Sequence, residues 1–305
     1  MKVIFLLAEL LPCLFIGYLL GKYKQHLSLI FARQLIKLGI PISLMGLLLK
    51  TGLDLPLVEA AAMALVSIGL LMTILNCLPI FRVHDYSRTL LLGSGFGNTG
   101  YLGIPVSLAL LPSDALIYSI GFDLGATLVI WSLGPLILTK LSNQLSVKES
   151  FQKTLQAVLN SPATKGLGGA LIVQATPWNE EITSFLWIPS RIVIVLALVV
   201  VGMRLGLLRT STFFSFVTQV KSIKNSLLVK LIGFPILMLS LCLMLQLPKL
   251  MLNALVLQAA APTAISILLI AQATSQDEEK ATLLVILSTL MSLITIPIWS
   301  LVLQM

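Results

Sequence analysis

Long apolar runs alternate with short polar gaps along the whole chain. The runs fall at 3–21, 30–50, 56–80, 89–111, 115–139, 154–175, 184–205, 226–247, 251–273 and 280–303. Each is close to the roughly 20 residues that a helix needs to cross a bilayer's hydrocarbon core. The pattern therefore predicts an all-α integral membrane protein with ten transmembrane helices. The first run has the look of a signal-peptide core. However, Glu9 interrupts it, no small-x-small cleavage pattern follows and the next gap is basic, so it reads as the first span. The second and seventh runs are the least regular, with Arg33, Lys37, Arg191 and Arg204 in or near them. The longest gaps, around 140–153 and 206–225, are polar and basic and too short for a soluble domain.

Composition agrees with that reading. Of 305 residues, 57% are hydrophobic and only 10% charged, and mean hydropathy is +1.02; soluble domains carry about 25% charged residues. The net charge of +8 sits in the gaps between spans, so it sets topology and implies no nucleic-acid partner. Gaps after odd-numbered spans hold eleven of the Lys and Arg residues (Lys22, Lys24, Arg82, Arg88, Lys140, Lys148, Lys153, Arg209, Lys221, Lys224 and Lys280), against Lys2, Lys50 and Lys249 on the other side. By the positive-inside rule the odd gaps face the cytoplasm of a cell (plasma or inner) membrane, and both termini lie outside. Cys13, Cys77 and Cys242 lie far apart in apolar segments, with neither disulfide nor metal-ligand spacing.

The two halves of the chain repeat a pattern. The second and seventh spans each carry a proline near the start and a glycine near the end, with Pro41 matching Pro189, and the fifth and tenth spans place Pro135 against Pro297. The fourth span is interrupted by "GSGFGNTGYLGIP" at 93–105 and the ninth by "AAAPTA" at 259–264. Five spans per repeat is odd, so the second copy enters the membrane from the opposite side. The result is a 5+5 inverted repeat: 1–139, a cytoplasmic connection at 140–153, and 154–305. Backbone without hydrogen-bond partners is tolerated at membrane depth only where protein or trapped water covers it. Paired breaks in an inverted repeat point to a transporter's binding site at the midplane. Small residues at close helix packings are the competing explanation for either break alone. Asn98 both donates and accepts hydrogen bonds, and half-helices that start near the midplane turn their positive ends toward it, which favours an anionic group.

The sequence "GNTGYLGIPV" at 97–106 resembles the fourth-helix motif of the auxin efflux carrier family of permeases, Asn-Thr-Gly-x-x-Gly-x-Pro. "AAAPTAISILLIAQ" resembles the ninth-helix motif, and "NSPATKGLGGALI" the Asn-Pro entry to the second half. The resemblance covers essentially the whole chain. It implies two broken helices, fourth and ninth, that cross. Helices 1, 2, 6 and 7 form a scaffold, helices 3–5 and 8–10 form a moving transport domain, and relatives imply a homodimer. Position by position it carries over Asn98, Thr99, Gly100, Gly103 and Pro105 at the first crossing segment and Pro262 at the second. Where the family often has Asn after that proline, this chain has Ser266, a smaller polar group. The family name does not make auxin the substrate; bacterial-type members imply small organic acids.

Gln258 and Thr263 flank the second break and complete the candidate substrate-binding set with Ser266. Asp123 lies well inside the fifth span. It reads either as the site of a coupling proton or sodium ion or as a structural carboxyl held protonated by hydrogen bonds. Glu9, Glu59, Lys165 and Arg204 lie near span ends and reach the interface. No HExxH and no GxxxxGK[ST] occurs, and His26 and His84 fall in short gaps. No metal, organic cofactor or catalytic centre is expected. The leading reading is a non-enzymatic secondary transporter of small anionic organic compounds such as carboxylates, working by alternating, elevator-like access. A passive channel and a non-transporting ligand sensor or scaffold are the alternatives.

Overall fold

A computed structural model describes residues 2–77, 87–138, 162–206 and 213–304, together with 152, 155–156 and 159–160. The regular elements among them are helical. The first half comprises α1 (Lys2–Tyr23), α2 (Gln25–Gln34), α3 (Ile40–Thr51), α4 (Leu55–Cys77), α5 (Arg88–Gly95), α6 (Ile104–Leu110) and α7 (Leu116–Leu138). The second half comprises α8 (Pro162–Gln174), α9 (Asn179–Gly206), α10 (Phe213–Leu228), α11 (Phe234–Met244), α12 (Lys249–Ala259), α13 (Ile265–Thr274) and α14 (Glu278–Gln304). Five stretches are long and apolar enough to cross a membrane: Leu55–Cys77, Ser113–Pro135, Asn179–Val200, Val220–Met244 and Glu278–Gln304. Large apolar side chains lie bare on the outside, Phe185 at 76% and Ile294 at 68% exposure. Such side chains suit lipid, not water.

One boundary differs from the sequence reading. The polar gap expected up to 225 is already helical from Phe213. Its Gln219, Lys221 and Lys224 lowered the apolar content without opposing a helix, because long straight polar side chains are good helix formers. The sixth span, expected from 154, is helical at 155–156 and 159–160 and continues as α8 from Pro162. The expected connection at 140–153 lies outside the described residues apart from Gln152.

Three short π-helical turns share one local cause. Leu35–Gly39, Thr99–Gly103 and Val229–Gly233 each end in glycine and each is followed by an apolar residue and a proline: Pro41, Pro105 and Pro235. A proline inside a helix removes one hydrogen bond and pushes against the carbonyl four residues back. Widening the preceding turn to the π register relieves the clash, and glycine adds no side chain to the crowded turn.

Glycines also set how the helices pack. In α1, Gly17 and Gly21 face Gly202 and Gly206 of α9. A Cβ on Gly17 would lie 2.1 Å from the Val199 carbonyl, and one on Gly202 would lie 2.2 Å from the Leu14 carbonyl. Both helices thus present glycines four apart, so their backbones meet directly. α9 packs in turn on α3, and α3 on α8. Ser190 of α9 donates to the Ile42 carbonyl of α3 at 3.2 Å at the first of these contacts. On the other side, Gly121 and Gly125 of α7 press on the Leu57 and Ala61 carbonyls of α4. Asp123 is midway between these glycines. At about 100° per residue it points away from α4, toward the space between α7 and α3.

Candidate functional site

The site is built where two helices stop. α5 ends at Gly95, and the chain is extended at Phe96 before a new helix begins after Asn98. α12 ends at Ala259, and α13 begins after Ala264. The two linkers lie side by side. Gly97 and Thr263 form an isolated antiparallel bridge, in which the Asn98 amide donates to the Pro262 carbonyl at 2.6 Å and the Ala264 amide donates to the Phe96 carbonyl at 3.0 Å. Thr263 locks the crossing further. Its hydroxyl donates to the Gly93 carbonyl at 2.9 Å, and its amide donates to Ser288 Oγ at 3.0 Å. Backbone groups freed by the interruptions are thereby satisfied inside the protein, as burial requires.

A cleft of about 730 Å³, counted to its open mouth, adjoins this crossing. One wall is α3 and the turn before it, with Leu35, Ile40, Ser43, Leu44 and Leu47. The other is the crossing itself with Asp123 and Thr127 of α7. Of the residues singled out from sequence, Asn98, Thr99, Gly100, Ser266 and Asp123 line it. Gly103, Pro105, Gln258, Pro262 and Thr263 are not among the lining residues and act behind the wall. Gly103 gives room to Gln258, whose Oε1 would lie 2.2 Å from a Cβ there. Gln258 is fully buried and donates to Ser107 Oγ at 3.2 Å. Pro262 supplies the bridge carbonyl, and Pro105 starts α6.

Polar groups in the cleft are of two kinds. Asp123 has its partners within the protein: Thr99 Oγ1 donates to its carboxylate at 2.6 Å, Thr127 Oγ1 at 3.4 Å, and the Gly100 amide is a third donor. The carboxylate thus sits at the start of the helix that follows Asn98, where the helix dipole favours a negative charge. Asn98 Nδ2 and the Tyr101 hydroxyl, in contrast, are buried and have no hydrogen-bond partner. A buried donor without a partner costs about 1–3 kcal/mol, so both are poised to bond to a guest. The start of α13 is equally open, because its N-cap, Ala264, has no side chain to bond the first-turn amides.

The sequence reading passed over two contributors. Tyr101 lay inside the motif as an unassigned position. Lys230 of the π turn before α11 is fully buried beside the crossing, roughly 15 Å from the Val220 end of its membrane-length stretch at 1.5 Å per residue. Its signal was a lone lysine inside an otherwise apolar run. Glu59 and Lys165 are exposed. The side chains of Glu9, Arg33 and Arg204, and all of His84, lie outside the described residues. Cys13, Cys77 and Cys242 form no disulfide among the described residues.

Comparison with known proteins agrees with the motifs. The profile of a family described as membrane transport protein matches residues 3–300. A protein of Methanothermobacter thermautotrophicus, described as an uncharacterized transporter, is 26% identical over 210 residues, which is 68% of this chain and 65% of that protein. The similarity therefore spans less than two thirds of that relative's length.

Proposed function

Because the chain belongs to the membrane transport protein family, and so is a multi-pass membrane protein, we propose that it is a secondary transporter of small anionic organic compounds such as carboxylates. In this reading the helices make ten spans in a 5+5 inverted repeat, with the α5–α6 and α12–α13 pairs as the broken fourth and ninth spans. Spans 1, 2, 6 and 7, built on α1, α3, α8 and α9, form the scaffold. The remaining spans move against it and carry the cleft from one side of the membrane to the other.

One observation carries the proposal: the second half-helices of both interrupted pairs begin at the same cleft. Asn98, Thr99 and Gly100 line it at one start, and Ala264, Ile265 and Ser266 at the other. Helix starts carry free amides and positive partial charge, which suits a carboxylate. The first start is already taken by the protein's own Asp123. The substrate's negative group therefore belongs at the uncapped start of α13, with Asn98 Nδ2 as a side-chain donor, and Ser266 replaces the amide of relatives there. Asp123 shares the cleft with the anion and is the natural site for a coupling proton or cation, since neutralising it removes their mutual repulsion.

Uptake into proteoliposomes tests this. A panel of small mono- and dicarboxylates is expected to include one with saturable uptake and counterflow, and Asn98→Ala is expected to lose both. Non-saturating flux without counterflow would mean a channel. Ligand-induced thermal stabilisation with no uptake of the ligand would mean a sensor.

A further inference from the structure

The crossing has a charge on each side, and only one faces the cleft. Lys230 is fully buried. Its ammonium donates to the Ala259 carbonyl at 2.7 Å and lies 4.7 Å from the centre of the Phe234 ring. It also rests on Gly97, where an added Cβ would come within 3.1 Å of Nζ. Ala259 is the last residue of α12, so the carbonyl that Lys230 holds is one of those a helix C-terminus leaves without an intrahelical partner. Two other carbonyls there are met by the backbone: Val256 accepts from Ala260 and Gln258 accepts from Ala261. Lys230's partners are thus a carbonyl, a ring and a glycine, all neutral. Burying an ammonium without a counter-ion is costly. What offsets the cost here is the negative end of α12, with the negative face of the ring. Two features hold the lysine in place. The π turn Val229–Gly233 sets its direction, and Trp299 Nε1 donates to the neighbouring Leu231 carbonyl at 3.0 Å.

We propose that Lys230 is a tethered cation of the crossing. It neutralises the C-terminal end of α12 and clamps Gly97 against it, so this position draws no sodium or other cation from solution. Any ion coupling is then left to Asp123 on the cleft side. The transport consequence rests on the crossing being the moving site, but the positioning role does not, and its test uses no substrate.

The test is thermal unfolding of the purified full chain in choline, sodium or ammonium chloride at equal ionic strength. Asp123→Asn, which takes away the cleft carboxylate as a cation site, is expected to show one midpoint in all three salts. In that background Lys230→Ser leaves the α12 end without its cation. Its midpoint is expected to fall by several degrees in choline and to recover at least half of that loss in ammonium or sodium. A sodium increment in Asp123→Asn alone overturns the proposal. So does a double variant as stable as Asp123→Asn in choline, or one whose loss neither small cation reverses. If Lys230→Ser does not fold, Lys230→Arg and Lys230→Met decide, read as the monodisperse fraction on solubilisation from membranes. A folded arginine variant with an unfolded methionine variant supports the tethered charge, and a methionine variant at wild-type yield overturns it.

Discussion

The Asp123 carboxylate lies against Gly100 so closely that a Cβ there would come within 3.0 Å of both its oxygens. Thr99 Oγ1 holds it there at 2.6 Å. The glycine of the Asn-Thr-Gly motif therefore serves a contact, in addition to any weakening of the helix. Gly100→Ala is expected to push the carboxylate off Thr99 while leaving the crossing bridge intact. Uptake kcat/KM should fall about tenfold, the equivalent of one hydrogen bond of about 1.4 kcal/mol. Thr99→Val should show a similar loss. Initial uptake rates, with size-exclusion profiles to confirm folding, check both.

Asp123 and the proposed anion occupy one cleft, which fixes the sign of a pH effect. A carboxylate there repels an anionic substrate, and its protonated form does not. Uptake by the wild type is therefore expected to rise as pH falls through the titration of Asp123. Asp123→Asn should be nearly flat over the same range, because the amide keeps the shape and loses the charge. Using a sulfonate analogue, ionised throughout, keeps the substrate's own titration out of the measurement. A wild-type profile that falls with acidification, or one that Asp123→Asn leaves unchanged, would count against proton coupling at this residue.

The sequence was informative where a residue type has few structural options. Prolines 105 and 262 and the glycines around Asn98 disfavour a regular helix, and the chain leaves the helix at 96–98 and 260–264. The cleft was legible to the extent that motif residues face it, as Asn98, Thr99, Gly100 and Ser266 do. Gln258 and Thr263 lie behind the cleft wall. They bond across the crossing to Ser107 and Gly93, contacts that span about half the chain and leave no local trace. Lys230 was hidden for a related reason. A lysine near one end of an apolar run reads as a snorkelling side chain. Only the helical start at Phe213, upstream of where the run appears to begin, moves it to mid-span. The wall contributed by α3 was likewise invisible, since Leu44 and Leu47 look like any other buried leucines.

Gly103 and Gln258 meet at 2.2 Å from an added Cβ, well inside what any real contact allows. Gly103→Ala must displace a glutamine that is fully buried and bonded to Ser107. We expect a loss of about 1–3 kcal/mol from overpacking, read as a lowered melting temperature in detergent. Pairing it with Gln258→Ala removes the obstructing amide, so the double variant should be more stable than the sum of the two single losses. Strict additivity would show that the contact is not the cause.

Close approach of α1 and α9 is the other place where a methyl group should decide stability. At Gly202 an added Cβ would lie 2.2 Å from the Leu14 carbonyl and 2.9 Å from the Gly17 Cα, both backbone atoms that cannot rotate aside. The helices must separate to admit it, which loosens the wall that α9 supports through α3. At Gly168 of α8 an added Cβ meets nothing within 4 Å. Alanine there gains up to about 1 kcal/mol of helix propensity at no steric cost. Gly202→Ala is thus expected to lose stability toward the upper end of ~1–3 kcal/mol, while Gly168→Ala melts at or above the wild-type temperature. Melting curves of the three proteins in one detergent give the order directly. A Gly202→Ala protein as stable as Gly168→Ala would mean that the two backbones do not touch.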